Sequence, residues 1–194
     1  MSLVDDAAPV RAGEALDERR LGEYLAGHVP GLELPLRVRQ FPSGFSNLSY
    51  LLSAGSVELV LRRPPIGTRP KSGHDMSREF RVLSALRAGF AECPRPLHFC
   101  ADESVIGAPF YVVERIRGII LRRDYPLGLE ATPAMVRAQQ LALVEVLARL
   151  HGLDTRRWGF RISASPKVMP RASCGAGRKD SRRPGLTTHR RLTR

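Results

Sequence analysis

Cysteine is scarce in this 194-residue chain. Its three copies, Cys93, Cys100 and Cys174, form neither an even set for a disulfide framework nor a CxxC metal pattern. They read as reduced thiols, and core packing is the role expected of the first two. No apolar run approaches the roughly 20 residues that a membrane helix needs, and the acidic start MSLVDD lacks the basic and apolar regions of a signal peptide. A soluble cytoplasmic protein without a membrane partner is expected. Acids are also short, 19 against 31 Lys and Arg, for a formal net charge of +12. The surplus is local: residues 161–194 hold ten bases and one acid, Asp180, leaving 21 bases and 18 acids in the first 160. Spread over a folded surface, that surplus would point to nucleic acid; here it belongs to a tail. The tail has no helical or strand period, few large apolar residues and much Arg, Ser, Gly and Pro, so it is expected to be disordered. It offers the one route to nucleic acid, by phosphate contact without sequence readout. With no aromatic residue in it, stacking on single strands is not indicated.

What is present is patterned sequence enough for one globular domain over 1–160, with 161–194 as an appendage. No internal repeat is found. Residues 17–28 (DERRLGEYLAGH) place Leu21, Tyr24, Leu25 and His28 on one face, with acids early and a histidine late, as a short amphipathic helix should. LRVRQF (36–41), NLSYLLSA (47–54) and VELVLRR (57–63) read as strands, the last two joined by a tight turn at Gly55 and Ser56. Together they suggest an antiparallel meander. A loop rich in Pro, Gly and bases leads to SREFRVLSALRAGF, where Phe80, Leu83 and Leu86 recur at helical spacing, with Asp75 or Ser77 able to cap the helix and Gly89 to close it. LHFCAD (97–102) and APFYVVERI (108–116) follow as two more strands. Thr132 and Pro133 then open a helix to about His151, with Met135, Leu143, Val146, Leu147 and Leu150 apolar.

Four places could carry chemistry, and each has a plain structural reading beside the functional one. Ser43, Gly44, Phe45, Ser46 and Asn47 lie between two strands, where a small, hydroxyl- and amide-rich turn exposes N–H groups that can face phosphate oxygens; the same residues suit an ordinary hairpin. Val60 and Arg62 project from one face of their strand because side chains alternate with period two; Arg62 could equally be a solvent-facing edge cation. Glu79 sits beside the apolar stripe of its helix with no cation three or four positions away, its neighbours there being Asp75, Met76, Val82 and Leu83. Its partner must be water or a distant residue. The run from Phe110 to Gly118 reads as a central strand leaving the sheet. His151 ends a helix as a packed or capping residue would, and neither His74 nor His98 belongs to a metal-ligand cluster, so no metal site and no catalytic residue are assigned.

FPSGFSNLSYLL (41–52), SGHDMSREFRVLSAL (72–86), CADESVIGAPFYVVERIRG (100–118) and LARLHGLD (147–154), in that order, resemble the kinase-like phosphotransferase family that includes aminoglycoside phosphotransferases. Within it they are most similar to the branch fused to acyl-CoA dehydrogenases in family members 10 and 11. The resemblance covers about residues 17–158. It implies an α+β fold: a kinase-like N-terminal lobe of about five antiparallel strands with one packed helix, followed by the first helix of a C-terminal lobe. It implies ATP as cofactor, accompanied by Mg2+ in a full-length homologue. Ser43, Gly44, Ser46 and Asn47 would then face the phosphates; glutamine usually stands where Phe45 is, so backbone contact is implied there. Val60 would lie under the adenine, Arg62 would meet the α and β phosphates, Glu79 would hold Arg62, and the backbone at Val113, Glu114 and Ile116 would form the hinge at the adenine edge. The acceptor implied is a small-molecule hydroxyl, a hydroxyacyl thioester as readily as an antibiotic.

Transfer in this superfamily uses an HGDxxxxN loop and a later metal-binding aspartate. The chain's only HG pair, His151 and Gly152, is followed by Leu153. The expectation is therefore a chain that ends its family pattern near Phe160, by truncation or a shifted reading frame, and is inactive alone. A nucleotide-binding, pseudokinase-like module is the alternative. The 133–151 helix would expose its apolar face, which makes self-association an expected liability.

Overall fold

The computed structural model describes residues 6–42, 47–65, 67, 75–121, 125–126 and 128–154. Its elements run α1 (Glu18–Ala26), β1 (Arg37–Gln40), β2 (Leu48–Ala54), β3 (Val57–Arg63), α2 (Met76–Arg87), β4 (Pro96–Cys100), β5 (Phe110–Glu114) and α3 (Pro133–His151). The strands form one antiparallel sheet in the order β1-β2-β3-β5-β4. The expected meander is its first three strands, with Gly55 at φ +56° in the β2–β3 turn, a left-handed angle that glycine adopts without strain. The last strand in sequence inserts beside β3 and leaves β4 at the edge. The fold is the expected α+β arrangement.

Period-two alternation gives the sheet two apolar faces. Leu59, Leu61, Phe110 and Val112 join Tyr50, Leu52 and the α1 residues Leu21 and Leu25 in the larger core. Val60, Tyr111 and Val113 face the other way and pack with Met76, Phe80, Leu83 and Phe99, which brings α2 onto that face. Asp75, not Ser77, caps α2 by accepting from the Arg78 N–H at 2.9 Å, and the helix closes at Ala88, one residue before Gly89. Thr132 caps α3 as expected, accepting from the Met135 N–H at 3.2 Å. No residue of α3 is buried, and Leu141, Leu143, Val144 and Leu147 are exposed.

The larger core also encloses polar groups that the pattern did not mark. Arg63 is buried and donates to the Ile106 carbonyl at 2.8 Å, while Gln40, also buried, donates to Glu14 at 2.5 Å. Tyr50 donates to the Glu14 carbonyl at 2.9 Å. The segment before α1 is thereby tied across β1 and β2, with Ala8 bridging to Gln40.

The α1 face corrects one expectation. The helix ends at Ala26 with Gly27 as C-cap, so His28 lies beyond it, exposed, with its ring Nδ1 2.8 Å from the Tyr24 carbonyl. The Tyr24 hydroxyl lies 2.9 Å from His98 Nε2, and the His28 and His98 rings are 4.5 Å apart. Burial, and then the neighbouring His28, lower the His98 pKa below its ordinary 6.5. The unfolded chain therefore binds the proton more readily, so this contribution to stability is complete above pH 6.5 and is lost as pH falls from there toward the folded value. Thermal melts between pH 7.5 and 5 should show a decline that His98→Gln reduces; identical profiles would remove His98 as its source.

Candidate functional site

The site grows from the α2-facing side of β3. The register that pairs Arg62 with Tyr111 and Val60 with Val113 sets these four side chains on one face, with α2 above them. On α2, Glu79 in the first turn points its carboxylate at this face. Arg62 Nε lies 3.2 Å from Glu79 Oε2, with side-chain exposures of 41% and 27%. The distant partner of Glu79 is thus a β3 cation. The contact is a charge contact: Nε is buried and its N–H is not aimed along a hydrogen bond to the carboxylate. The terminal nitrogens of Arg62 make no hydrogen bond among the described residues, which leaves the end of the guanidinium able to donate to an anion.

Two neutral groups complete the carboxylate's shell. Asn47 Nδ2 donates to Glu79 Oε1 at 3.0 Å, and the Tyr111 hydroxyl donates to Glu79 Oε2 at 2.9 Å. Both residues are buried. Burial, and secondarily the bond to Glu79, push the Tyr111 pKa well above its usual value, so the phenol stays a donor. Asn47, which the sequence groups with a phosphate-facing turn, turns its side-chain amide to Glu79. Ser43, Gly44 and Ser46 lie outside the described residues.

The three residues expected at a hinge part company. Val113 is buried in the second apolar cluster. The Glu114 side chain accepts from the Arg95 N–H at 2.8 Å and lies 3.6 Å from Arg95 Nε and 3.9 Å from Arg87, while its own N–H donates to the Arg95 carbonyl at 3.0 Å. Its side chain serves the start of β4. Ile116 is 60% exposed, and its N–H has no partner among the described residues. Between them Arg115, only 8% exposed in its side chain, donates to Glu58 Oε2 at 2.9 Å and lies 3.5 Å from Asp6; Arg117 reaches the same oxygen at 2.6 Å. Glu58 therefore anchors the segment that leaves β5.

Tyr111 and Arg115 are the residues that sequence reasoning missed. Period two puts Tyr111 on the face of Val113, which was a usable signal. That this face meets Arg62 depends on β5 lying beside β3, which local pattern does not encode. Among the described residues no three His, Cys, Asp or Glu side chains converge as metal ligands would.

Residues 37–186 match the family model described as "Phosphotransferase enzyme family". Curated relatives include acyl-CoA dehydrogenase family member 11 of Rattus norvegicus, 37% identical over 164 residues, covering 82% of this chain and 21% of that protein. Family member 10 of Mus musculus is 37% identical over 155 residues, covering 78% and 14%. The chain thus spans about a fifth or less of the length of these relatives. A solved structure from Ralstonia eutropha, assigned as an aminoglycoside phosphotransferase, aligns with a TM-score of 0.58 and 31% identity over 75% of this chain and 41% of that one.

Proposed function

Since the chain belongs to the phosphotransferase enzyme family, we propose that its sheet and α2 bind ATP, and that the 194-residue chain does not by itself transfer the phosphate. The observation that carries the first part is Arg62: a cation backed by Glu79 at 3.2 Å, whose terminal nitrogens make no hydrogen bond among the described residues. A planar guanidinium with free N–H groups suits phosphate oxygens, which it can meet two at a time. Val60, part-exposed on the same strand face, would lie against the adenine, and the unpartnered Ile116 N–H, with the Glu114 backbone, would meet its edge. Ser43, Gly44 and Ser46 would add backbone contacts to the phosphates. ATP, when bound, supplies the transferable phosphoryl group; what this chain's residues do is hold and orient it. The second part rests on sequence: no HGDxxxxN pattern occurs in the chain. The acceptor we assign to the family reaction is a small-molecule hydroxyl, and the acyl-CoA dehydrogenase relatives favour a hydroxyacyl thioester.

A thermal-shift titration tests this. Ligand at ten times Kd adds about 1.4 kcal/mol of stability, which for a chain of this size raises Tm by about 3–5 °C. Magnesium ATP should produce such a shift, and Arg62→Ala should remove most of it; no shift at millimolar ATP would refute the binding reading. Sustained ATP turnover by the purified chain would refute the second part.

A further inference from the structure

The geometry points to Tyr111 and Asn47 as positioning residues that clamp the Glu79 carboxylate, one on each oxygen, so that it aims Arg62 at a nucleotide phosphate. The inference rests on the nucleotide-binding reading above and adds two residues to it. The shortest contact between Arg62 and Glu79, 3.2 Å from Nε to Oε2, lacks hydrogen-bond alignment. A carboxylate free to rotate about its last torsion, which is broad and two-fold, would let this contact wander. Rotation is blocked because Oε1 is fixed by Asn47 Nδ2 at 3.0 Å and Oε2 by the Tyr111 hydroxyl at 2.9 Å. Both donors are buried and come from separate parts of the sheet: Asn47 immediately before β2 and Tyr111 from β5. The clamp therefore joins β2, β5 and α2 at one carboxylate. Hydrogen bonds to an ionised acceptor are stronger than neutral ones, which suits the two donors to hold a carboxylate in place.

A merely structural tyrosine would satisfy its hydroxyl on Glu79 and affect every ligand alike. A positioning tyrosine affects the phosphate end of the ligand and leaves the adenosine end untouched. The test uses the whole chain as wild type, Tyr111→Phe and Asn47→Ala, with two readouts: calorimetric Kd for magnesium ATP and for adenosine, and the NMR resonance of the Arg62 Nε–H. Losing one charge-assisted hydrogen bond should weaken ATP about tenfold, leave adenosine within about twofold, and shift the Arg62 resonance. Equal weakening of both ligands, or an unchanged ATP Kd and an unmoved resonance, overturns the proposal. Asn47→Ala carries the same comparison if Tyr111→Phe does not fold. If the wild type binds neither ligand, the nucleotide reading fails and the clamp is judged on the resonance alone: movement in both variants sustains it, and no movement overturns it.

Discussion

Replacing Glu79 by alanine should cost the protein both stability and its hold on ATP. The substitution removes the Glu79 countercharge from Arg62 and the acceptors used by Asn47 Nδ2 and the Tyr111 hydroxyl. Breaking a fully buried pair costs about 3–5 kcal/mol, whereas an exposed pair contributes about 0–1 kcal/mol. With side-chain exposures of 41% and 27%, this pair lies between those limits, and a loss of about 1–2 kcal/mol is expected. The larger effect falls on binding. An Arg62 no longer tethered pays for its ordering only when phosphate arrives, so the ATP Kd should rise by about tenfold or more. Calorimetry and denaturant unfolding on the same variant separate the two effects. Glu79→Gln is the informative control: it keeps one acceptor oxygen, enough for Asn47 or Tyr111 but not both, and removes the charge, so it should recover part of the stability and little of the ATP affinity.

The largest effect on stability should come from Phe110→Ala. Phe110 is fully buried at the start of β5, opposite Cys100 on β4, with the Tyr24 ring edge-on to it at 6.0 Å. It joins α1 to the strand that carries Tyr111 and leads to the segment leaving the sheet. Truncating a core phenylalanine costs about 3–5 kcal/mol, a large part of the 5–15 kcal/mol that holds a typical domain together. Tm should fall by about 10 °C or more. A fall of only a degree or two would mean that β5 is not packed as a central strand. Phe110→Leu, which keeps most of the apolar volume, should lose much less.

Much of this architecture is legible in local chemistry. The caps Asp75 and Thr132, the left-handed Gly55 turn and the Leu59-Val60-Leu61-Arg62 alternation are fixed by neighbours within a few residues, and each is found where pattern places it. Two things were not legible. Strand order depends on which chain segments meet after the helix crossover, and nothing in 110–114 says that this strand slots beside β3. Without that adjacency, Tyr111 has no visible reason to meet Glu79. The polar cluster of Glu14, Gln40, Tyr50 and Arg63 is hidden for the same reason, since its members are up to 49 residues apart and meet only across the folded sheet. By contrast, the link from Arg62 to Glu79 followed from resemblance, and from the bare fact that Glu79 had no local cation. An unpaired acid beside an apolar stripe advertises a tertiary partner.

The central claim is that a nucleotide sits against β3 with its base at the segment leaving β5. Photolabelling of the 194-residue chain with 8-azido-ATP, followed by peptide mapping, tests this most directly. Saturable labelling, competed by ATP, is expected on peptides that contain residues 57–63 or 113–118, and should be reduced in Arg62→Ala. Labelling that does not saturate, or that falls on the basic residues 161–194 and is unaffected by Arg62→Ala, would contradict it.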